Sequence, residues 1–176
     1  LKKELKMACP TAATFAIDSF PELSAACHVA DNFSKSPKVL DPGYQDYLFN
    51  YCMTNEIGLV IPTIDTELQV LAEAKSAFGR SGINLVVSER ELVELCSDKT
   101  KSTKVFASMN LRTPNILNRN DLTFPCFVKP ISGSGSEGAY PLLEQDDVAK
   151  NLMANSGLVF MEYFSDQHEE YTIDAY

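Results

Sequence analysis

Phe124-Pro125-Cys126-Phe127-Val128-Lys129-Pro130-Ile131-Ser132-Gly133-Ser134-Gly135-Ser136-Glu137-Gly138 is an apolar run that ends in a lysine and passes at once into a glycine- and serine-rich loop. Glycines let backbone N–H groups approach phosphate oxygens with no Cβ in the way. Serines add hydroxyl donors, and a lysine at the strand's end sets a positive charge beside them. These residue types in this order suit a nucleotide triphosphate. A plain Gly/Ser turn with a solvated lysine is the alternative that this segment alone leaves open.

The spacing Gly133-x-Gly135-x-x-Gly138 is GxGxxG, a pattern with several meanings. A dinucleotide fold needs the loop to open a helix, whereas Gly138-Ala139-Tyr140-Pro141-Leu142-Leu143 reads as a second strand. A Walker loop needs Gly-Lys-Ser/Thr at its end, which is missing. A protein-kinase loop is a hairpin of this kind, but its lysine lies on a later strand, and here Lys129 comes first. No HRD or DFG segment supports the kinase reading either.

The flanks narrow the choice. Upstream, in Ser97-Asp98-Lys99-Thr100-Lys101-Ser102-Thr103-Lys104-Val105-Phe106-Ala107-Ser108-Met109-Asn110-Leu111-Arg112-Thr113-Pro114, Ser97 or Asp98 can cap a helix whose Val105, Phe106 and Met109 share a face. Downstream, Leu158 to Phe164 is a buried-type strand with a carboxylate near its end, and Glu169 to Asp174 alternates like a strand. From Pro10 to about Cys96, apolar and helical segments alternate, which predicts a parallel sheet covered by helices. From Lys99 on, a helix precedes strand pairs with one further helix in QDDVAKNLMAN, so the boundary falls near Asp98. Asp65 and Ser88 are expected to cap helices, and Gly79 and Gly82 to punctuate a helix exit.

Taken together, SDKTKSTKVFASMNLRTP, FPCFVKPISGSGSEGAY, LVFMEYF and EEYTIDAY resemble the ATP-grasp superfamily, and within it the carbamoyl-phosphate-synthase large-subunit-like branch. The resemblance implies an α/β chain: a Rossmann-like parallel-sheet pre-ATP-grasp domain over residues 1–98, then the first (α+β) ATP-grasp subdomain, truncated, over 99–176. It implies an ATP-dependent carbon–nitrogen ligase that activates a carboxylate or bicarbonate as an acyl phosphate for attack by an amine or ammonia. Positioning and charge neutralisation supply most of the catalysis in phosphoryl transfer. In such proteins the matching positions contact ATP: Lys99 and Lys129 at the phosphates, Gly133, Ser134, Gly135, Ser136 and Gly138 as a flap, Glu162, Tyr163 and Phe164 at the adenine, and Glu170 at the ribose, with Glu169 open as its alternative. Each has a structural competitor: Lys129 as a strand-end lysine, Lys99 as a helix-start residue in a poor place for a cation, Glu162 as a salt-bridge partner.

Magnesium ligands are expected outside this chain, and no catalytic residue is assigned in it. Both ends read as cut: LKKELKMA as the end of a helix, YTIDAY as part of a central strand. The fragment alone is therefore expected to be inactive. A non-catalytic nucleotide-binding or partner subunit that keeps the grasp fold is the alternative, and either a homo-oligomer or a separate subunit fits.

Other residues carry weaker signals. Thr63, Asp65 and Glu67 follow a strand, where open α/β sheets bind ligands; Asp65 and Glu67 are weak candidates for the acceptor substrate. Asp18 reads as a turn or cap residue, and His28 and His168 as structural or surface residues. At 176 residues with 45% hydrophobic content there is ample core material. The net charge of −9 disfavours a nucleic-acid surface, but not ATP, which needs only local positive charge. No apolar run approaches the roughly 20 residues of a bilayer span, so no membrane contact is expected and the chain reads as cytoplasmic. Cys9, Cys27, Cys52, Cys96 and Cys126 are scattered without CxxC spacing and read as reduced thiols.

Overall fold

A computed structural model describes residues 2–133, 135–145, 152, 154–165, 169 and 171. Contacts group the chain into two units, Leu1–Arg90 and Glu91–Tyr176. That division lies one helix ahead of the Asp98 boundary read from the sequence.

In the first unit, helix α1 (Lys2–Ala8) precedes strand β1 (Phe15–Asp18), a 3₁₀ turn (Pro21–Leu23), helix α2 (Ala25–Val29) and strand β2 (Asn32–Lys35). Helix α3 (Tyr44–Thr54), strand β3 (Leu59–Val60), helix α4 (Asp65–Arg80) and strand β4 (Asn84–Leu85) follow. β1 pairs with β2 and β3 with β4, both in parallel. Parallel neighbours need a crossover, supplied by α2 and α4. The core follows helical spacing: Tyr44, Leu48 and Cys52 on α3 and Leu71, Ala74 and Phe78 on α4 close on Ile83 and Leu85. Phe49 meets Phe78 edge to face at 5.2 Å.

Helix α2 and strand β2 had no sequence signal: no residue of Asn32-Phe33-Ser34-Lys35 is buried, so the strand shows no apolar alternation. Asp18 ends β1 as a turn residue, its Oδ1 accepting the Phe20 N–H at 2.9 Å. The Asp65 expectation needs correction. Ile64 is the N-cap of α4, with no side-chain cap bond, and Asp65 is the first helical residue, where a carboxylate is favoured by the helix dipole instead.

The second unit contains helix α5 (Arg90–Ser97, whose first residue belongs to the first unit), helix α6 (Lys99–Ser108) and strands β5 (Cys126–Pro130), β6 (Tyr140–Leu142) and β7 (Leu158–Glu162). The strands form an antiparallel sheet in the order β6-β5-β7. β5 alternates: Cys126 and Val128 are fully buried with Leu142 and Phe160, while Phe127 and Lys129 face the other way. Pro141 is tolerated because β6 is an edge strand in this sheet. Residues 115–117 run antiparallel to β7, with Leu117 N–H on Phe160 O and Glu162 N–H on Asn115 O, both at 2.8 Å. Arg119 donates to Asn155 O and Leu158 O at 2.7 Å each, its guanidinium 5.2 Å from the Phe160 ring centre.

The helix read in QDDVAKNLMAN and the strand read in EEYTIDAY fall largely outside the described residues. Among those described, no helix is long and apolar enough to cross a membrane.

Candidate functional site

Strand β5, the glycine loop and β6 form a hairpin, with Phe127 opposite Pro141 and Val128 opposite Tyr140. The order of lysine, loop and return strand is thus as the sequence suggests. Beneath the loop lies a cleft of about 290 Å³ lined by Lys99, Phe127, Lys129, Gly133, Gly135, Ser136 and Glu137, among others.

Lys129 reaches it because β5 alternates: with Val128 committed to the core, its two neighbours point to the cleft face. Its half-buried ammonium makes no hydrogen bond or ion pair among the described residues. Burial first, and then the charge of Lys99, hold it below the usual lysine range. Two cations and one carboxylate, Glu137, thus line the cleft, and the Lys129 ammonium is suited to an anionic partner.

Lys99 enters from the start of α6. Asp98 caps that helix, its Oδ1 accepting from Thr100 N–H at 2.8 Å and Lys101 N–H at 3.1 Å, and its carboxyl lies below the usual range chiefly through the Thr100 hydroxyl bond. The Lys99 N–H goes to Ile131 O at 3.0 Å. The first amides of α6 are therefore spent, and the helix offers the cleft a side chain in place of its open N-terminus. The Lys99 ammonium donates to Gly133 O at 3.1 Å and Ile131 O at 3.5 Å, tethering the start of the loop.

The loop requires its glycines. Gly135 and Gly138 sit at φ +65° and +69° and Gly133 at +137°, conformations that side chains disfavour. A Cβ on Gly138 would also lie 3.3 Å from Pro130 Cγ. Among the described residues, the N–H groups of Gly133, Gly135, Ser136, Glu137 and Gly138 make no hydrogen bond within the protein, so they remain available to an anion.

The hinge residues stand differently. The register sets Glu162 opposite Cys126, on the sheet face away from Lys129. Its carboxylate is taken by Asn115, whose N–H and Nδ2 reach Oε2 at 3.2 and 3.0 Å. The Glu162 carboxylate is thus engaged away from the cleft face. Tyr163 returns to the cleft face, and its ring stacks on Phe127 at 6.5 Å with 7° between planes. Phe164 is exposed and does not line the cleft. Ser134 and Glu170 lie outside the described residues; Glu169, the alternative, accepts the Tyr171 hydroxyl.

Asp65 and Glu67 belong to the other unit. Glu67 is buried and accepts the hydroxyl of buried Tyr44, which burial and this bond push above the usual tyrosine range. That carboxylate serves the core, which weighs against a substrate role. His28 contacts Glu22 O at 3.0 Å through Nε2, and His168 lies outside the described residues. The described residues contain no cluster of three or more His, Cys, Asp or Glu side chains fit for a metal ion.

Sequence reasoning missed Phe127, Glu137 and Asn115. The first two could have been found from strand alternation and loop position; nothing local marks Asn115.

Residues 1–86 match the family model described as PylC-like, N-terminal domain. No curated protein shows significant sequence similarity to the chain. Among solved structures, the chain is similar to a Campylobacter jejuni biotin carboxylase in a β,γ-ATP complex: TM-score 0.69, 12% identity, 93% of this chain and 42% of that one. It is similar to the biotin carboxylase domain of Hydrogenobacter thermophilus 2-oxoglutarate carboxylase with MgADP, ADP and bicarbonate: TM-score 0.66, 14% identity, 92% and 41%. It is also similar to the L-amino acid ligase of Bacillus licheniformis: TM-score 0.63, 14% identity, 86% and 44%. The chain thus shares an α/β fold with part of each of these enzymes and spans less than half the length of their chains.

Proposed function

We propose that this chain supplies the phosphate-gripping part of an ATP site in a carbon–nitrogen ligase. The observation that carries the reading is the half-buried Lys129 ammonium, uncompensated among the described residues, sharing one cleft with Lys99 beneath unspent loop amides. These groups fit a polyphosphate: two cations neutralise its charge, and backbone donors at left-handed glycines take its oxygens. Phe127 and Tyr163 extend the same sheet face in apolar form, suited to a base.

Bound ATP would supply a phosphoryl group to a carboxylate or bicarbonate, turning it into an acyl phosphate open to an amine or ammonia. Lys99 and Lys129 hold the phosphates in line and stabilise the charge that develops. The loop, tethered at Gly133 by Lys99, covers them and excludes water. No step is assigned to magnesium, for which the described residues offer no cluster of three or more His, Cys, Asp or Glu side chains. Within the group, the sequence motifs favour a carbamoyl-phosphate-synthase-like member, and the match over residues 1–86 favours a PylC-like one; the acceptor acid follows from whichever holds.

In the protein that contains this chain, the expected result is magnesium-dependent ADP release with the right acceptor, abolished by Lys129→Ala. Unchanged turnover in that variant would overturn the assignment. Nucleotide binding without any ADP release would favour a non-catalytic subunit.

A further inference from the structure

We infer that Asn115 is a positioning residue that sets the hinge Glu162–Phe164 for the base of the nucleotide, an inference that rests on the nucleotide reading above. β7 ends at Glu162, the point where a strand normally frays into its connection. Here it does not end freely. Asn115 N–H and Nδ2 both donate to Glu162 Oε2, at 3.2 and 3.0 Å, while the Glu162 N–H donates to Asn115 O at 2.8 Å. The Ile116–Met161 bridge and the Leu117–Phe160 bond continue the same pairing, so the 115–117 segment clamps the strand from its outer edge.

The clamp acts on the face away from the cleft, and this makes it a positioning device. Glu162 spends its carboxylate on Asn115. The next residue, Tyr163, turns to the cleft face and stacks on Phe127, two residues from Lys129. Fixing Glu162 therefore fixes the main chain that follows it relative to the wall carrying Lys129. The stacked rings of Phe127 and Tyr163 on that face suit a planar base. One segment serves both ends of the nucleotide: residue 99 opens it at the phosphates, and residue 115 closes it at the hinge.

The test compares ATP with inorganic tripolyphosphate, which has no base, by amide-resolved NMR titration into the millimolar range on the 176-residue chain. In the unsubstituted protein, tripolyphosphate is expected to shift amides of the loop, and ATP those of the loop and of Tyr163 and Phe164. Asn115→Ala should weaken ATP by about three- to tenfold, the range of one ordinary hydrogen bond, because the lost bond acts on the base only through the hinge, and leave tripolyphosphate affinity unchanged. Asn115→Asp sets a carboxylate against Glu162 and should lose at least as much. The double variant Asn115→Asp/Glu162→Gln restores a donor–acceptor pair with the roles exchanged and should recover ATP affinity.

Equal loss for both ligands in Asn115→Ala, no loss for either, or no recovery in the double variant overturns the positioning role. ATP shifts confined to the loop overturn the hinge as the base site. Failure of both ligands to bind the unsubstituted chain overturns the nucleotide reading itself, and with it this inference.

Discussion

Replacing Lys129 with methionine should make the protein more stable and worse at binding. The substitution keeps an unbranched apolar stem of similar reach against Phe127 and removes an ammonium that the fold disfavours. That ammonium is half-buried, shares its cleft with Lys99 and has its pKa lowered by burial and by that neighbour. A lysine with a folded-state pKa below its unfolded value costs stability at neutral pH. The cost is relieved as pH rises from the folded value towards about 10.5, because the folded state releases its proton first. Because the group keeps part of its solvent, the gain in Lys129→Met should not exceed about 1 kcal/mol, or a few degrees in Tm. The loss in binding is larger: a charge-assisted bond to phosphate is worth about 1.5–3 kcal/mol, or about ten- to 150-fold in Kd. Denaturant melts near neutral pH and near pH ~10.5, with tripolyphosphate calorimetry, read both effects. The variant's advantage should shrink at the higher pH. A destabilised variant, an advantage independent of pH, or undiminished binding would each refute the placement of this ammonium.

Two further perturbations test neighbouring features. Glu137 lines the same cleft as the two lysines, so Glu137→Gln should tighten tripolyphosphate by about two- to fivefold at low salt; calorimetry showing unchanged or weaker binding would mean that its carboxylate faces away from the bound anion. Asp98→Ala removes the acceptor for the Thr100 and Lys101 amides and should cost about 1 kcal/mol in denaturant melts. The Asp98 carboxyl is held below its ordinary value, so this contribution is present above about pH 3.9 and is lost as pH falls through the folded value. The two proteins should converge in acid, and a gap that persists there would argue against the cap.

Local chemistry explains what the sequence disclosed. The β5–β6 hairpin was legible because Lys129, the glycines and Tyr140-Pro141-Leu142 are consecutive, and the Asp98 cap because capping is decided within four residues. Helices α3 and α4 announced themselves through their core spacing. Strand β2 was not legible, since its partner β1 lies across helix α2 and none of its side chains is buried. The engagement of the Glu162 side chain was not legible for a similar reason. Its face depends on the pairing of Glu162 with Cys126, and its partner Asn115 is 47 residues away, so neither fact exists until β7 docks. Glu67 looked like a site residue at a strand exit because the Tyr44 hydroxyl that claims it arrives from another helix.

Strand β5 is read on both sides. Cys126 and Val128 hold the sheet to its interior, and Phe127 and Lys129 furnish the cleft. Deleting a single residue between them would turn the ammonium inward and Val128 outward, so interior and cleft would fail in the same event. Apolar exchange at 126 or 128 is tolerable in a way that any change of length is not. The segment's character is therefore metrical: its composition can drift while its count is frozen.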